Sequence, residues 1–77
     1  MSVPRKPLEE WSKKEVREWL VSANREHEWE MEEEEVKRVA AKGVDFSAMT
    51  KSDMKEVCGT AVGIHVYNAK ERLRTGL

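Results

Sequence analysis

Apolar side chains recur at intervals of three and four residues in this 77-residue chain, and this spacing constrains the fold most. The clearest stripe lies near the C-terminus and consists of Val62, Val66, Ala69 and Leu73. Such intervals place side chains on one face of an α-helix, whereas a half-buried strand shows alternation of apolar and polar residues. No segment requires a β-strand, so we predict an all-α chain.

Two short polar motifs mark helix starts. Ser12 and Glu15 form a capping-box pattern, in which the serine caps the first free amides and the glutamate reaches back to the Ser12 amide. Thr50 is predicted to cap a later helix, with Asp53 at its third position. Because both motifs precede apolar residues at helical spacing, each predicts where a helix begins.

These signals together predict a compact five-helix bundle with a long C-terminal helix. The five segments are residues 13–22, a helix that begins between 26 and 32 and ends near 42, a short turn at 44–49, a helix that begins after 50, and a last helix over 62–74. In the short turn, Val44, Phe46 and Met49 are expected to fill the core. Residues 1–9 are expected to be a flexible leader, and residues 10–75 the domain.

Composition excludes several functional classes. Hydrophobic residues make up 39% of the chain and charged residues 38%, with a net charge of −1, so neither general disorder nor a globally basic surface for nucleic acid is indicated. Cys58 is the one cysteine, which fits a reducing compartment. No apolar run reaches the roughly 20 residues that a membrane span needs, and residues 1–8 lack a signal-peptide pattern. We expect an intracellular, cytoplasmic protein without membrane insertion. The polar leader and the end at Leu77 suggest a domain excised from a longer protein, and the alternative of a whole protein stays open.

Candidate chemistry is sparse. One cysteine and two separated histidines, Cys58 with His27 and His65, lack the spacing of a metal site. They also lack a third group that would orient a nucleophile and its base. We therefore expect no enzyme activity, no metal and no cofactor, and Cys58 is expected to be a small buried side chain.

The stretch over residues 26–35 is unusually acidic and holds seven of the fifteen Asp and Glu residues. Two interpretations remain open, a solvated helix face or a docking surface for a basic partner. Trp29 and Met31 lie within the stretch. We expect Trp29 in the core, because the chain has few aromatic residues. Trp11 and Trp19 are also expected in the core.

The order of these features resembles the sterile alpha motif (SAM) domain. The resemblance rests on Trp11-Ser12 with Glu15-Val16 and Trp19-Leu20, Val44-Asp45 with Met49, Thr50-Lys51-Ser52-Asp53-Met54, and Gly63 with Val66, Ala69 and Leu73. It covers most of the chain. The stretch from Leu20 to Val36 is longer than the first link usual in that family.

The resemblance implies a protein-interaction module that binds another SAM domain, homotypic or heterotypic, or another protein. Its usual contact joins an often acidic mid-loop surface to an often basic end-helix surface on the next domain. The corresponding residues here are Asp45, Ser47, Asp53 and Glu56 for the mid-loop and Gly63, Ile64, His65 and Asn68 for the end-helix. Because the two surfaces differ, the implied contact is head-to-tail and can build open polymers.

Some SAM domains bind RNA hairpins, which is the alternative function. That activity requires a cluster of basic residues around the start of the last helix. Here Gly63 is followed by no lysine or arginine until Lys70. Lys70, Arg72 and Arg74 are too few for strong phosphate binding, so nucleic acid is the less favoured partner.

Overall fold

The computed structural model describes residues 4–75, and every regular element within them is helical. A short 3₁₀ helix, Leu8–Glu10, precedes α1 (Lys13–His27), α2 (Glu33–Val39), α3 (Gly43–Ala48), α4 (Lys51–Cys58) and α5 (Thr60–Thr75). The described residues measure 29 × 23 × 20 Å. The prediction of an all-α, five-helix bundle with a long C-terminal helix is confirmed. No helix in this part of the chain is long and apolar enough to cross a bilayer.

Both predicted helix starts carry complete capping boxes. The Ser12 hydroxyl accepts a hydrogen bond from the Glu15 amide at 3.2 Å, and the Glu15 carboxylate accepts one from the Ser12 amide at 2.9 Å. The Thr50 hydroxyl and Asp53 carboxylate make the same exchange, at 3.1 and 3.0 Å. Each pair satisfies amides that the first helical turn leaves without partners.

Helix α1 is five residues longer than predicted, ending at His27 instead of residue 22. Ala23 is buried and extends the apolar face of Val16 and Leu20 by another turn. The helix ends at Glu28, whose backbone is left-handed with φ of 53°. This extension absorbs part of the long stretch that departs from the family pattern.

The acidic stretch does not form one continuous helix. Trp29 and Met31 are buried between exposed glutamates, and α2 begins only at Glu33, one residue beyond the predicted range. The Asn24 side chain holds this connection, because its amide donates to the Met31 carbonyl and its oxygen accepts from the Met31 amide, at 3.0 and 2.9 Å. Burial of two apolar side chains and these paired bonds outweigh the helix propensity of glutamate.

One core prediction for the short turn is wrong. Phe46 is fully buried and meets the Trp19 ring edge-on at 6.0 Å, but Val44 is 54% exposed. Residues two apart on a helix lie on different faces, so Val44 and Phe46 cannot both point into the core. Met49 is half-buried and packs against the core from its edge.

The segment before α1 belongs partly to the core. Leu8 and Trp11 are buried, and the Trp11 indole donates to the Lys6 carbonyl at 3.0 Å. The Gly43 amide donates to the Trp11 carbonyl at 2.8 Å, and a Cβ at Gly43 would collide with the Leu8 carbonyl. Leu8, expected in the flexible leader, is therefore packed against α3. Residues 1–3 of that leader lie outside the described residues.

The capping box of α4 predicts a measurable loss of stability. Thr50→Ala removes the side-chain acceptor for the Asp53 amide, and we expect the free energy of unfolding to fall by about 1 kcal/mol. Urea denaturation followed by circular dichroism measures the change. The exposed Ser52 is the matched control, and Ser52→Ala should leave stability within about 0.5 kcal/mol. Equal effects of the two substitutions would contradict a capping role.

Candidate functional site

The described residues offer no centre for metal or thiol chemistry. Between residues 4 and 75, no three His, Cys, Asp or Glu side chains are grouped so that they could hold a metal ion. Cys58 is buried, as predicted, and burial together with the Glu35 carboxylate raises the pKa of its thiol to about 11. Because the thiolate is the reactive form, Cys58 is a poor nucleophile near neutral pH.

The mid-loop candidates lie on α3 and α4 and differ in accessibility. Asp45 is exposed in the first turn of α3, and Asp53 and Glu56 are exposed three residues apart on α4. Ser47 is buried, and its hydroxyl donates to the Glu9 carboxylate at 2.9 Å. The exposed carboxylates Asp45, Asp53 and Glu56 are here named the acidic surface.

The end-helix candidates lie in the first half of α5. That helix begins at Thr60, so Gly63 stands within its first turns and does not open it. Ile64 is half-buried, whereas His65 and Asn68 are exposed. Ile64, His65 and Asn68 are here named the α5 surface.

Gly63 is buried where α4 and α5 approach most closely. A Cβ atom at this position would lie 2.6 Å from the Lys55 Cα and 2.7 Å from the Met54 carbonyl carbon. Both neighbours are backbone atoms, which cannot swing aside as the end of a side chain can. Gly63 therefore allows the two helices to pack, and it offers no exposed side chain to a partner.

A groove of about 360 Å³ joins the α5 surface to the end of α1. Its lining residues are His27, Glu28, Trp29, Val62, His65, Asn68 and Arg72. The rings of His27 and Trp29 stack with centroids 5.3 Å apart. Because His65 and Asn68 line this groove, a partner on the α5 surface would also reach the end of α1.

The sequence analysis missed the structural role of Lys70. Its side chain is 2% exposed, and its ammonium donates to the carbonyls of Ser47 and Met49 at 3.1 and 2.8 Å. The ammonium also lies 2.8 Å from the Glu71 carboxylate and 4.6 Å from the centre of the Tyr67 ring. The sequence spacing could have indicated that Lys70 is buried, because Lys70 follows Val66 by four residues and therefore lies on the helix face of the apolar stripe.

Two of the three basic residues considered for RNA are thus engaged within the chain. Lys70 is buried, and Arg74 donates two hydrogen bonds to the Glu71 carboxylate at 3.0 and 3.1 Å. Arg74 also lies 4.0 Å from the Glu9 carboxylate. Arg72 is exposed and lines the groove beside the α5 surface. This arrangement does not form a basic cluster at the start of α5.

The Glu71 carboxylate joins Lys70 to Arg74 and should contribute to acid sensitivity. Hydrogen bonds from Lys70 and Arg74 lower the pKa of Glu71 in the folded protein. The ionised Glu71 carboxylate therefore stabilises the fold at pH values above the pKa that it has in the unfolded chain. This stabilisation is lost as the pH falls through the lower pKa of Glu71 in the folded protein. We expect Glu71→Gln to reduce the loss of stability between about pH 5 and pH 3.

Urea denaturation at several pH values tests this expectation. Glu18→Gln, at an exposed position of α1, serves as the control and should retain the acid dependence of the unmodified protein. An unchanged pH dependence in Glu71→Gln would show that the lowered pKa of this carboxyl does not stabilise the fold.

The close helix contact makes Gly63 a sensitive position. Gly63→Ala should lower the free energy of unfolding by about 1–3 kcal/mol, because the added methyl overpacks the contact with α4. Thermal unfolding followed by circular dichroism measures this loss. Ala61 is exposed in the same helix, so Ala61→Gly provides a control for the difference in helix propensity between alanine and glycine. If Gly63→Ala instead raises the free energy of unfolding, the higher helix propensity of alanine outweighs any overpacking, and the contact with α4 does not require glycine.

Comparison with protein families agrees with the helical arrangement described above, whereas two other comparisons found no similar protein. The searches of curated proteins and of solved structures each gave no significant match. The family model described as Sterile alpha motif (SAM)/Pointed domain matches residues 1–76. The match spans all five helices, and it confirms the resemblance drawn from the tryptophan, capping and glycine positions. The chain therefore belongs to the SAM/Pointed domain family.

Proposed function

We propose that this domain is an adaptor that binds a second SAM domain or another partner protein, and that it self-associates head-to-tail. SAM/Pointed domains are in general protein–protein interaction modules. The observation that carries the proposal is the exposure of two dissimilar surfaces, the acidic surface on α3 and α4 and the α5 surface.

The acidic surface supplies carboxylates for the contact. Asp45 and Glu56 are exposed on different helices, so a partner can approach either without disturbing the core. Asp53 is exposed too, but its carboxylate also accepts the capping bond from the Thr50 amide. Asp45 and Glu56 are therefore the better residues for testing the surface.

The α5 surface suits a partner carboxylate. The first turn of α5 contains no acidic residue, and the α5 surface lies one to two turns further along the helix, beyond the reach of the helix dipole. The side chains of His65 and Asn68 can donate hydrogen bonds to carboxylate oxygens. A carboxylate from the acidic surface of another copy can therefore dock here through hydrogen bonds from these two side chains.

The difference between the two surfaces determines the kind of assembly. A contact between unlike surfaces leaves one free acidic surface and one free α5 surface at the ends of each dimer. Further copies can add at either end, which yields open chains. A heterotypic partner with only one such surface would end the chain.

The cellular setting is part of the proposal. The buried thiol of Cys58 fits a reducing compartment, so we place this domain in the cytoplasm. Signalling is the setting that we propose for the adaptor there. RNA binding has weaker support, because Lys70 is buried and Arg74 pairs with Glu71. A basic surface that neutralised several phosphates would also give a steep dependence on salt.

Charge reversal tests the head-to-tail contact. We expect the unmodified domain to associate with rising concentration in analytical ultracentrifugation, and Glu56→Lys and His65→Glu each to weaken association by about tenfold or more. An equimolar mixture of the two variants should form a dimer, because one copy retains its α5 surface and the other its acidic surface. Circular dichroism confirms that each variant is folded.

Glu18→Lys is the matched control, since it makes the same charge change on α1, away from both surfaces. It should associate like the unmodified domain. Loss of association in this control would indicate a general charge effect. A strictly monomeric unmodified domain would contradict self-association and leave the heterotypic interaction.

A further inference from the structure

Two large aliphatic side chains stand out as exposed among residues 4–75. Val21 on α1 is 44% exposed and Val44 on α3 is 54% exposed. Single exposed apolar residues are common on protein surfaces and need no explanation by themselves. Val21 and Val44 differ from such isolated residues in their surroundings, because Val21 lines a groove and Val44 adjoins the exposed carboxylate of Asp45.

The groove at Val21 lies between α1 and α2 and has a volume of about 400 Å³. Its lining residues are Arg17, Val21, Asn24, Met31, Glu33, Val36 and Lys37. Met31 and Val36 are buried core residues, so the groove opens onto the edge of the core. The two hydrogen bonds between Asn24 and the Met31 backbone hold one wall in place, so the groove is preformed.

The rim of this α1–α2 groove carries two cations. Arg17 and Lys37 are both exposed, and Lys37 forms a long ion pair of 3.9 Å with the exposed Glu33 carboxylate, which also lines the groove. An exposed pair of this length contributes little to stability. The groove therefore combines an apolar interior with a rim that can receive a carboxylate.

Helix α3 presents the complementary pair of groups. Val44 and Asp45 are consecutive and both exposed in the first turn of the helix. An aliphatic side chain beside a carboxylate matches an apolar groove with cations at its rim, in polarity and in charge. Val44 and Asp45 also lie outside the α1–α2 groove of their own chain.

We propose that Val44 and Asp45 of one copy dock into the α1–α2 groove of a second copy. Val44 occupies the apolar interior beside Val21, and the Asp45 carboxylate meets Arg17 and Lys37 at the rim. The contact joins unlike surfaces, so it is head-to-tail. It rests on the proposed self-association, and it adds the α1–α2 groove to the α5 surface as a second receiving site for the acidic side of another copy.

Removing either apolar partner tests the contact. Val21→Ser and Val44→Ser should each weaken self-association by about tenfold or more, because burial of the aliphatic side chain is lost. Val21→Ile and Val44→Ile are the matched controls, since they keep an apolar side chain at the same position, and they should retain association. All four substitutions are at exposed positions, and circular dichroism with thermal unfolding checks that the variants fold.

A mixing experiment tests the direction of the contact. The Val44→Ser copy keeps an intact groove, and the Val21→Ser copy keeps Val44, so an equimolar mixture should form a 1:1 dimer by sedimentation. If each variant is weakened but the mixture stays monomeric, the valines do not meet each other and the proposal is overturned.

The comparison with His65→Glu separates this inference from the proposed function. If both serine variants associate normally while His65→Glu does not, the groove contact is wrong and the α5 contact stands. If the serine variants are weakened and His65→Glu is not, the groove receives the partner and the α5 surface does not. If the unmodified domain stays monomeric, a second copy does not occupy the groove and the proposal is overturned.

Discussion

The buried ammonium of Lys70 is the interaction on which the arrangement of α3, α4 and α5 depends. It donates to the carbonyls of Ser47 and Met49, at the end of α3 and just before α4, from a position on α5. A buried charge is costly unless its hydrogen bonds are satisfied, and here the Glu71 carboxylate and the Tyr67 ring complete its surroundings. The helices that carry the acidic surface are thereby held against the helix that carries the α5 surface.

The same contacts explain why two residues expected to bind partners have structural roles. Ser47 donates its hydroxyl to Glu9 and its carbonyl accepts from Lys70, and Gly63 gives the space in which α4 meets α5. A residue that supports a binding surface from below and a residue that is exposed on it can occur at neighbouring positions of the same sequence motif. They differ in exposure, which arises only when the helices pack.

The acidic stretch shows how tertiary burial reorganises a segment with strong helix propensity. Glu28 and Glu30 have positive φ angles of 53° and 62°, and Trp29 between them is buried. Left-handed backbone is unfavourable for residues other than glycine, so packing of Trp29 and Met31 and the Asn24 bonds must offset that cost. The glutamates remain solvated around two apolar anchors, and docking of a basic partner on them stays a prediction.

The sequence by itself determined the all-α class, both capping boxes and the family, because local spacing and caps depend on residues within one or two turns. It also indicated Phe46 and Trp29 as core residues. Tertiary structure decided where α1 ends and α2 begins, the burial of Lys70, and the exposure of Val44. Each of these depends on which helix face meets a neighbour, and that is set by contacts between residues far apart in the chain.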